Sequence, residues 1–183
     1  MGKPSFFLLV SVPFLAILSC APQSSTARPE QPLVLAIHLD QDKVSSFDEF
    51  YGDLILKNVG DKDLLVNARL ASVPYPWPPE IIEGVTRITN QLGDAVNPRS
   101  KIDIQFPKAE MFVILKPGQE IRKFITLSRL GYNSNLFVLG EKYTLVAIYQ
   151  NELDVEIEVE GKTVSSWIGS IQSIPLTFEF AQQ

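Results

Sequence analysis

Side chains able to do chemistry are few and scattered in this chain. Among 183 residues it holds one Cys, Cys20, and one His, His38. A single thiol makes neither an internal disulfide nor a thiolate-rich metal site, and a single imidazole excludes every motif that needs a pair. His38 sits within an apolar alternation, with no second His or Cys to complete a metal shell or activate a nucleophile, and reads as a structural residue. Carboxylates gather at Asp40-Gln41-Asp42, Asp48-Glu49 and Asp61-Lys62-Asp63. None has the glycine-punctuated spacing of a calcium loop, so they read as solvated turns. A carboxylate pair for glycoside hydrolysis meets only in three dimensions, and no residue nominates one. No catalytic residue, metal ligand or cofactor is assigned, and an enzyme is not expected.

Two segments are better suited to binding. Asp154, Glu156, Glu158 and Glu160 alternate with Val155, Ile157 and Val159, which puts four carboxylates on one face of a strand and apolar side chains on the other. Such a face is a solvated edge strand, where charge discourages pairing with another chain, or an acidic docking surface for a basic partner. Pro74-Tyr75-Pro76-Trp77-Pro78-Pro79 interleaves four prolines with two aromatics. Proline holds φ near about −65°, so this segment is extended and presents Tyr75 and Trp77 at low entropic cost. Rigid aromatics in a loop suit recognition, and both residues are candidate binding residues. The competing role for Trp77 is to fold back and plug an open end of the domain.

The composition, 45% apolar and 20% charged, is that of a single domain able to bury a core. Sixteen Lys and Arg against 21 Asp and Glu give a net charge of −5. No basic cluster could neutralise a run of phosphates, so no nucleic-acid partner is expected.

Residues 1–19 read as a signal peptide. Lys3 precedes an apolar run, Phe6 to Leu18, broken by Pro13 and followed by Ser19 and Cys20. The run is shorter than the roughly 20 residues a membrane-spanning helix needs. Ile17-Leu18-Ser19-Cys20 resembles the lipobox of bacterial lipoproteins: an aliphatic residue, a tolerant position, a small residue, then Cys. The resemblance implies that Cys20 is lipidated and becomes the first residue of the mature chain, anchored to membrane lipid through its acyl groups. Ala21 stands where an Asp favours inner-membrane retention in that family, which implies the outer membrane if the host is Gram-negative. An ordinary secretory signal, with Cys20 a bystander, is the alternative. A myristoylation reading of Met1-Gly2 is poorer, because Phe6 stands where that motif takes Ser or Thr. Residues 20–31 then form the lipidated Cys and a flexible tether, with Pro22 and Pro29 among Ser, Gln and Ala and no larger aliphatic side chain. Loss of residues 1–19 removes one Lys and leaves 15 cationic against 21 acidic residues, a charge of −6.

Residues 32–183 read as one β-domain. Leu33, Leu35, Ile37 and Leu39 share a face by alternation. Residues 52–59 and 64–70 flank the turn Asn58-Val59-Gly60-Asp61 and are expected to form a hairpin. Residues 84–90 and 101–106 are expected to pair in the same way. Residues 111–115 run into Lys116-Pro117-Gly118-Gln119, whose Pro presets the first turn φ and whose Gly takes the positive one, before a strand over 120–127. Strands over 139–150, 153–160 and 171–180 complete a set of nine or ten. No segment carries a helical period over three turns, and the short connections favour an antiparallel β-sandwich.

Gly140-Glu141-Lys142-Tyr143-Thr144-Leu145 resembles the tyrosine corner of immunoglobulin-like domains, in which a Tyr two residues before a core position bonds back to the preceding loop. Leu145 stands where an antibody domain has its second disulfide Cys. From Leu115-Lys116-Pro117-Gly118 through Trp167-Ile168-Gly169-Ser170 to Ser173, the chain is similar to Ig-like bacterial surface modules and, more loosely, to bacterial sandwich-fold proteinase inhibitors. The resemblance implies an all-β, immunoglobulin-like antiparallel β-sandwich of about nine strands. Together these features lead us to expect a lipid-anchored, non-enzymatic envelope module with a protein partner. The alternatives are a proteinase inhibitor presenting the rigid loop 74–79, and an enzyme or sugar-binding module whose site is assembled from dispersed Asp and Glu.

Overall fold

The computed structural model describes residues 31–70, 72–74, 84–97 and 108–181. Alternating sequence becomes strand throughout. The first half contributes β1 (Leu33–Leu39), β2 (Lys43–Val44), β3 (Gly52–Asn58), β4 (Leu64–Asn67), β5 (Ser72–Pro74) and β6 (Gly84–Asn90). The second half contributes β7 (Phe112–Leu115), β8 (Glu120–Ile125), β9 (Lys142–Asn151), β10 (Glu156–Val159), β11 (Lys162–Ser165), β12 (Gly169–Gln172) and β13 (Leu176–Phe180). No α-helix occurs among the described residues, only three single turns of 3-10 helix.

Two sheets form a β-sandwich. One has the order β1-β3-β8; the other runs β2-β13-β9-β6-β5, with β12 also on β9. The alternation puts Leu33, Leu35, Leu54, Leu56 and Ile125 of the first sheet against Ile88, Leu145, Ala147, Ile171 and Phe178 of the second. Each aliphatic side chain removed from water this way contributes about 1.5–3 kcal/mol. Phe137 closes one end of this core, its ring stacked on Phe180 at 5.1 Å and edge-on to Tyr143 at 5.0 Å.

The tyrosine corner is present. Tyr143 is buried, and its hydroxyl accepts the Val138 N–H at 2.8 Å and donates to Glu141 at 3.1 Å. Leu145, two residues on, is fully buried.

Among the described residues there are thirteen strands rather than nine or ten, because three short strands that the sequence did not announce, β2, β5 and β11, are added and one long run is broken. The run 171–180 splits into β12 and β13, and the run 153–160 shortens to β10. The expected strand over 101–106, and its pairing with β6, lie outside the described residues. The hairpin expected between β3 and β4 does not form. Both edges of β3 are already taken, by β1 from Leu33↔Asn58 to Leu39↔Gly52 and by β8 from Gly52↔Ile125 to Lys57↔Glu120. β4 pairs with β7 instead, as a separate ribbon. The turn at Lys116–Gln119 forms as expected, with Gly118 at φ +78° and the Gln119 N–H on the Lys116 carbonyl at 2.9 Å. It too carries the chain from one sheet to another rather than back along the same ribbon.

Asn58 holds these two crossings together. Its fully buried side-chain amide donates to the Leu115 carbonyl at 2.7 Å and the Lys62 carbonyl at 2.8 Å, while its Oδ1 accepts the Gly60 N–H at 2.9 Å. Its main chain bonds Gln119 and Gly118. Val59 and Gly60 in turn donate to the Pro32 carbonyl, which fixes the start of β1.

Asn58→Ala leaves buried carbonyls of two turns unpaired and is expected to lower the unfolding free energy by roughly 2–3 kcal/mol, read by urea denaturation. Burial also pushes the Tyr132 phenol up to about 12, against a smaller opposing effect of the Ile88 backbone, and raises Tyr143. The fold therefore favours the neutral phenols. The contribution of Tyr132 is complete below the ordinary tyrosine range and is lost as pH rises through 10 toward 12, at about 1 kcal/mol per pH unit, and that of Tyr143 changes in the same direction. Tyr132→Phe is expected to flatten that alkaline slope in denaturation curves taken across this range.

Candidate functional site

The three residues singled out from the sequence, Cys20, Tyr75 and Trp77, lie outside the described residues. The roots of the loop that carries the two aromatics are described. β5 ends at Pro74 and pairs in parallel with β6, Ser72 opposite Gly84 and Pro74 opposite Thr86. The chain between Pro74 and Gly84 thus leaves and re-enters on neighbouring strands.

The other candidates fall on the surface. His38 is exposed on the outer face of β1, its Nδ1 4.0 Å from Asp40 Oδ1, so it does not contribute to the core. The acidic alternation lies on a hairpin of β10 and β11, which among the described strands pair only with each other, and a single bridge from Ser166, just after β11, to Leu65 links it to β4. Glu158 accepts the Thr163 hydroxyl at 2.7 Å and Glu156 that of Ser165 at 3.3 Å. The turn places Glu160 and Gly161 consecutively in the left-handed region, the geometry that favours two-residue hairpins. Solvated carboxylates on a self-paired hairpin match the edge-protecting role. Among the described residues, no group of three or more His, Cys, Asp or Glu converges as a metal site.

A shallow cleft of about 560 Å³ beside the tyrosine corner includes Asp94 and Glu141. Both carboxylated residues are tied into local structure. Asp94 closes a turn with Asn90, whose Oδ1 accepts its N–H at 2.9 Å, and Glu141 accepts the Tyr143 hydroxyl.

An apolar seam was not foreseen from the sequence. It runs between β1, at the edge of the three-stranded sheet, and the broken last strand β12–β13 of the other. The break is built by Ser173-Ile174-Pro175. Pro175 has no N–H to give to the ladder. Ser173 compensates: its Oγ accepts the Ala147 N–H at 3.0 Å and its N–H donates to the Ala147 carbonyl at 2.8 Å. Ile174 is turned outward and is 87% exposed.

The resulting groove has a volume of about 490 Å³ and is lined by Leu33, Leu35, Ile37, Ile171, Ile174 and Leu176, with Gln31 and Gln172 as its polar members. Among the described residues, none that is charged lines it. Val34, 45% exposed, stands on its β1 side. Among the described strands β1 pairs only with β3 and β12 only with β9, so each presents a free edge. Natural edges are commonly guarded by charge, as on β10, and these two are not. The signal available in sequence was the proline inside the apolar run 171–180, which demotes a continuous strand.

No protein-family model matches the chain, and no curated protein is significantly similar to it. No helix among the described residues is long and apolar enough to cross a membrane.

Because Ile174 packs so little, Ile174→Asp is expected to change stability by no more than about 0.5 kcal/mol. Leu35→Asp buries a charge in the core and is expected to abolish the cooperative transition. Thermal melts of the two variants check both, and a large loss from Ile174→Asp would show the seam packed shut.

Proposed function

We propose that this chain is a bacterial envelope lipoprotein whose immunoglobulin-like sandwich is a non-enzymatic binding module, held to the membrane through acylated Cys20. The observation that carries this reading is the position of the sole Cys, at the end of a 13-residue apolar run and before a polar stretch without a large aliphatic side chain. β1 opens at Leu33, so a dozen residues separate the anchor from the first strand. Several acyl chains on one residue hold a protein durably, where a single chain gives only marginal binding. The outer membrane is the proposed location in a Gram-negative host, on the strength of Ala21 after the Cys. The tyrosine corner and the pairing of β2 with β13 support the immunoglobulin-like type.

Tyr75 and Trp77 are the proposed contacts for an envelope protein partner. A second reading, a proteinase inhibitor, draws on the same loop: its ends are held by β5 and β6, and a proline-rich insert resists cleavage.

The mass of the intact protein extracted from membranes is expected to show a chain beginning at Cys20 with acyl mass added. A chain beginning elsewhere, or carrying a bare thiol, overturns the anchor. Trp77→Ala is expected to fold normally and to reduce recovery of the crosslinked envelope partner. Undiminished recovery removes the loop from the interface, and titratable inhibition in a peptidase panel favours the second reading.

A further inference from the structure

We propose that the seam between β1 and β12–β13 is a cradle for one acyl chain of the protein's own anchor, filled when Cys20 is out of the bilayer. This rests on the lipoprotein reading above. The lining chooses the chemistry. Leu33, Leu35, Ile37, Ile171, Ile174 and Leu176 make an apolar trough with no charged member among the described residues, and its polar side chains there are two uncharged glutamines. A hydrocarbon chain needs no hydrogen bonds from these walls, and both free strand edges keep their water. At about 490 Å³ the trough falls within the roughly 300–1,000 Å³ of small-ligand sites. That holds one chain, not a multiply acylated anchor, so a bilayer that takes every chain wins whenever it is in reach.

The position of the chain chooses the source. Gln31 is itself part of the lining, so the chain that leads back to Cys20 starts at the trough. Cys20 lies eleven residues upstream. Fully extended, that length spans at most about 36–40 Å, and as a flexible coil it averages roughly 17–20 Å. The acyl group is therefore confined near the trough at an effective concentration of millimolar order, an advantage no free lipid in solution shares. The intervening residues 21–30 have no aliphatic side chain larger than Ala or Pro and cannot fill the trough themselves. Ile174 and Val34, both apolar and exposed, belong to the same lining and offer an acyl chain further hydrocarbon surface.

The test uses the full protein from cells fed a long-chain fatty acid that carries a photoreactive diazirine and an alkyne handle. After purification the monomeric fraction is brought below the critical micelle concentration of the detergent, irradiated and digested. Labelled Cys20 with adducts concentrated on residues 31–37 and 171–176 of the same chain is the expected result. Ile174→Asp is expected to lower those adducts about tenfold, the ratio that ~1.4 kcal/mol produces. Label on Cys20 with adducts spread over the surface, formed between two copies, or indifferent to Ile174→Asp overturns the cradle and leaves the anchor standing. Absence of label from Cys20 overturns both. Equal labelling of the trough in Cys20→Ser protein by added photoreactive phospholipid shows a site for surrounding lipid and overturns the proposal of an own-chain ligand.

Discussion

The buried amide of Asn58 is the constraint from which much of this architecture follows. A sandwich whose strands do not simply fold back on their neighbours must carry its chain from sheet to sheet, and every such crossing leaves backbone groups that no ladder satisfies. Here two crossings, one after β3 and one between β7 and β8, meet at the same side chain. Its donors take the Lys62 and Leu115 carbonyls, and its oxygen and main chain take Gly60, Gly118 and Gln119. The three-stranded sheet, the β4–β7 ribbon and the start of β1 are thereby tied at one point. Because Val59 and Gly60 also hold Pro32, the start of the first described strand is set by the same knot.

Strand character was legible because it is local. The alternation of Leu33, Leu35, Ile37 and Leu39, the Pro-Gly turn at 117–118 and the tyrosine before Leu145 each declare themselves within a few residues, and each appears in the fold. Pairing was not legible, because it depends on which edges are still free. Turn chemistry at Asn58-Val59-Gly60-Asp61 is the same whether the chain turns back along β3 or leaves it, and only the prior occupation of β3 by β1 and β8 decides. The seam was hidden for a similar reason. Its walls come from residues some 140 positions apart, and nothing near Leu33 announces Ile171. The one local trace was Pro175.

The molecule treats its edges in two ways. The β10–β11 hairpin carries Glu156 and Glu158 outward and closes on itself through hydroxyl contacts, a surface that repels a foreign strand. Across the molecule, β1 and β12 present apolar, uncharged margins beside the point where the chain leaves toward Cys20. An unguarded edge is a hazard for aggregation in a freely diffusing protein. Under the proposed lipid anchor, the same margin stands next to the root of the tether.

The pairing of β2 with β13 has a consequence for how the polypeptide acquires its shape. Lys43 and Val44 lie beside Glu179 and Phe180, so the second strand to be synthesised finds its partner only when the last one has been made. β9, which organises the larger sheet, likewise arrives late and recruits β6 from far earlier in the chain. Such non-local closure is slow. Until β9 and β13 have been made, β2 has no partner and β6 lacks the strand that organises its sheet, so the earlier half of the domain stays open.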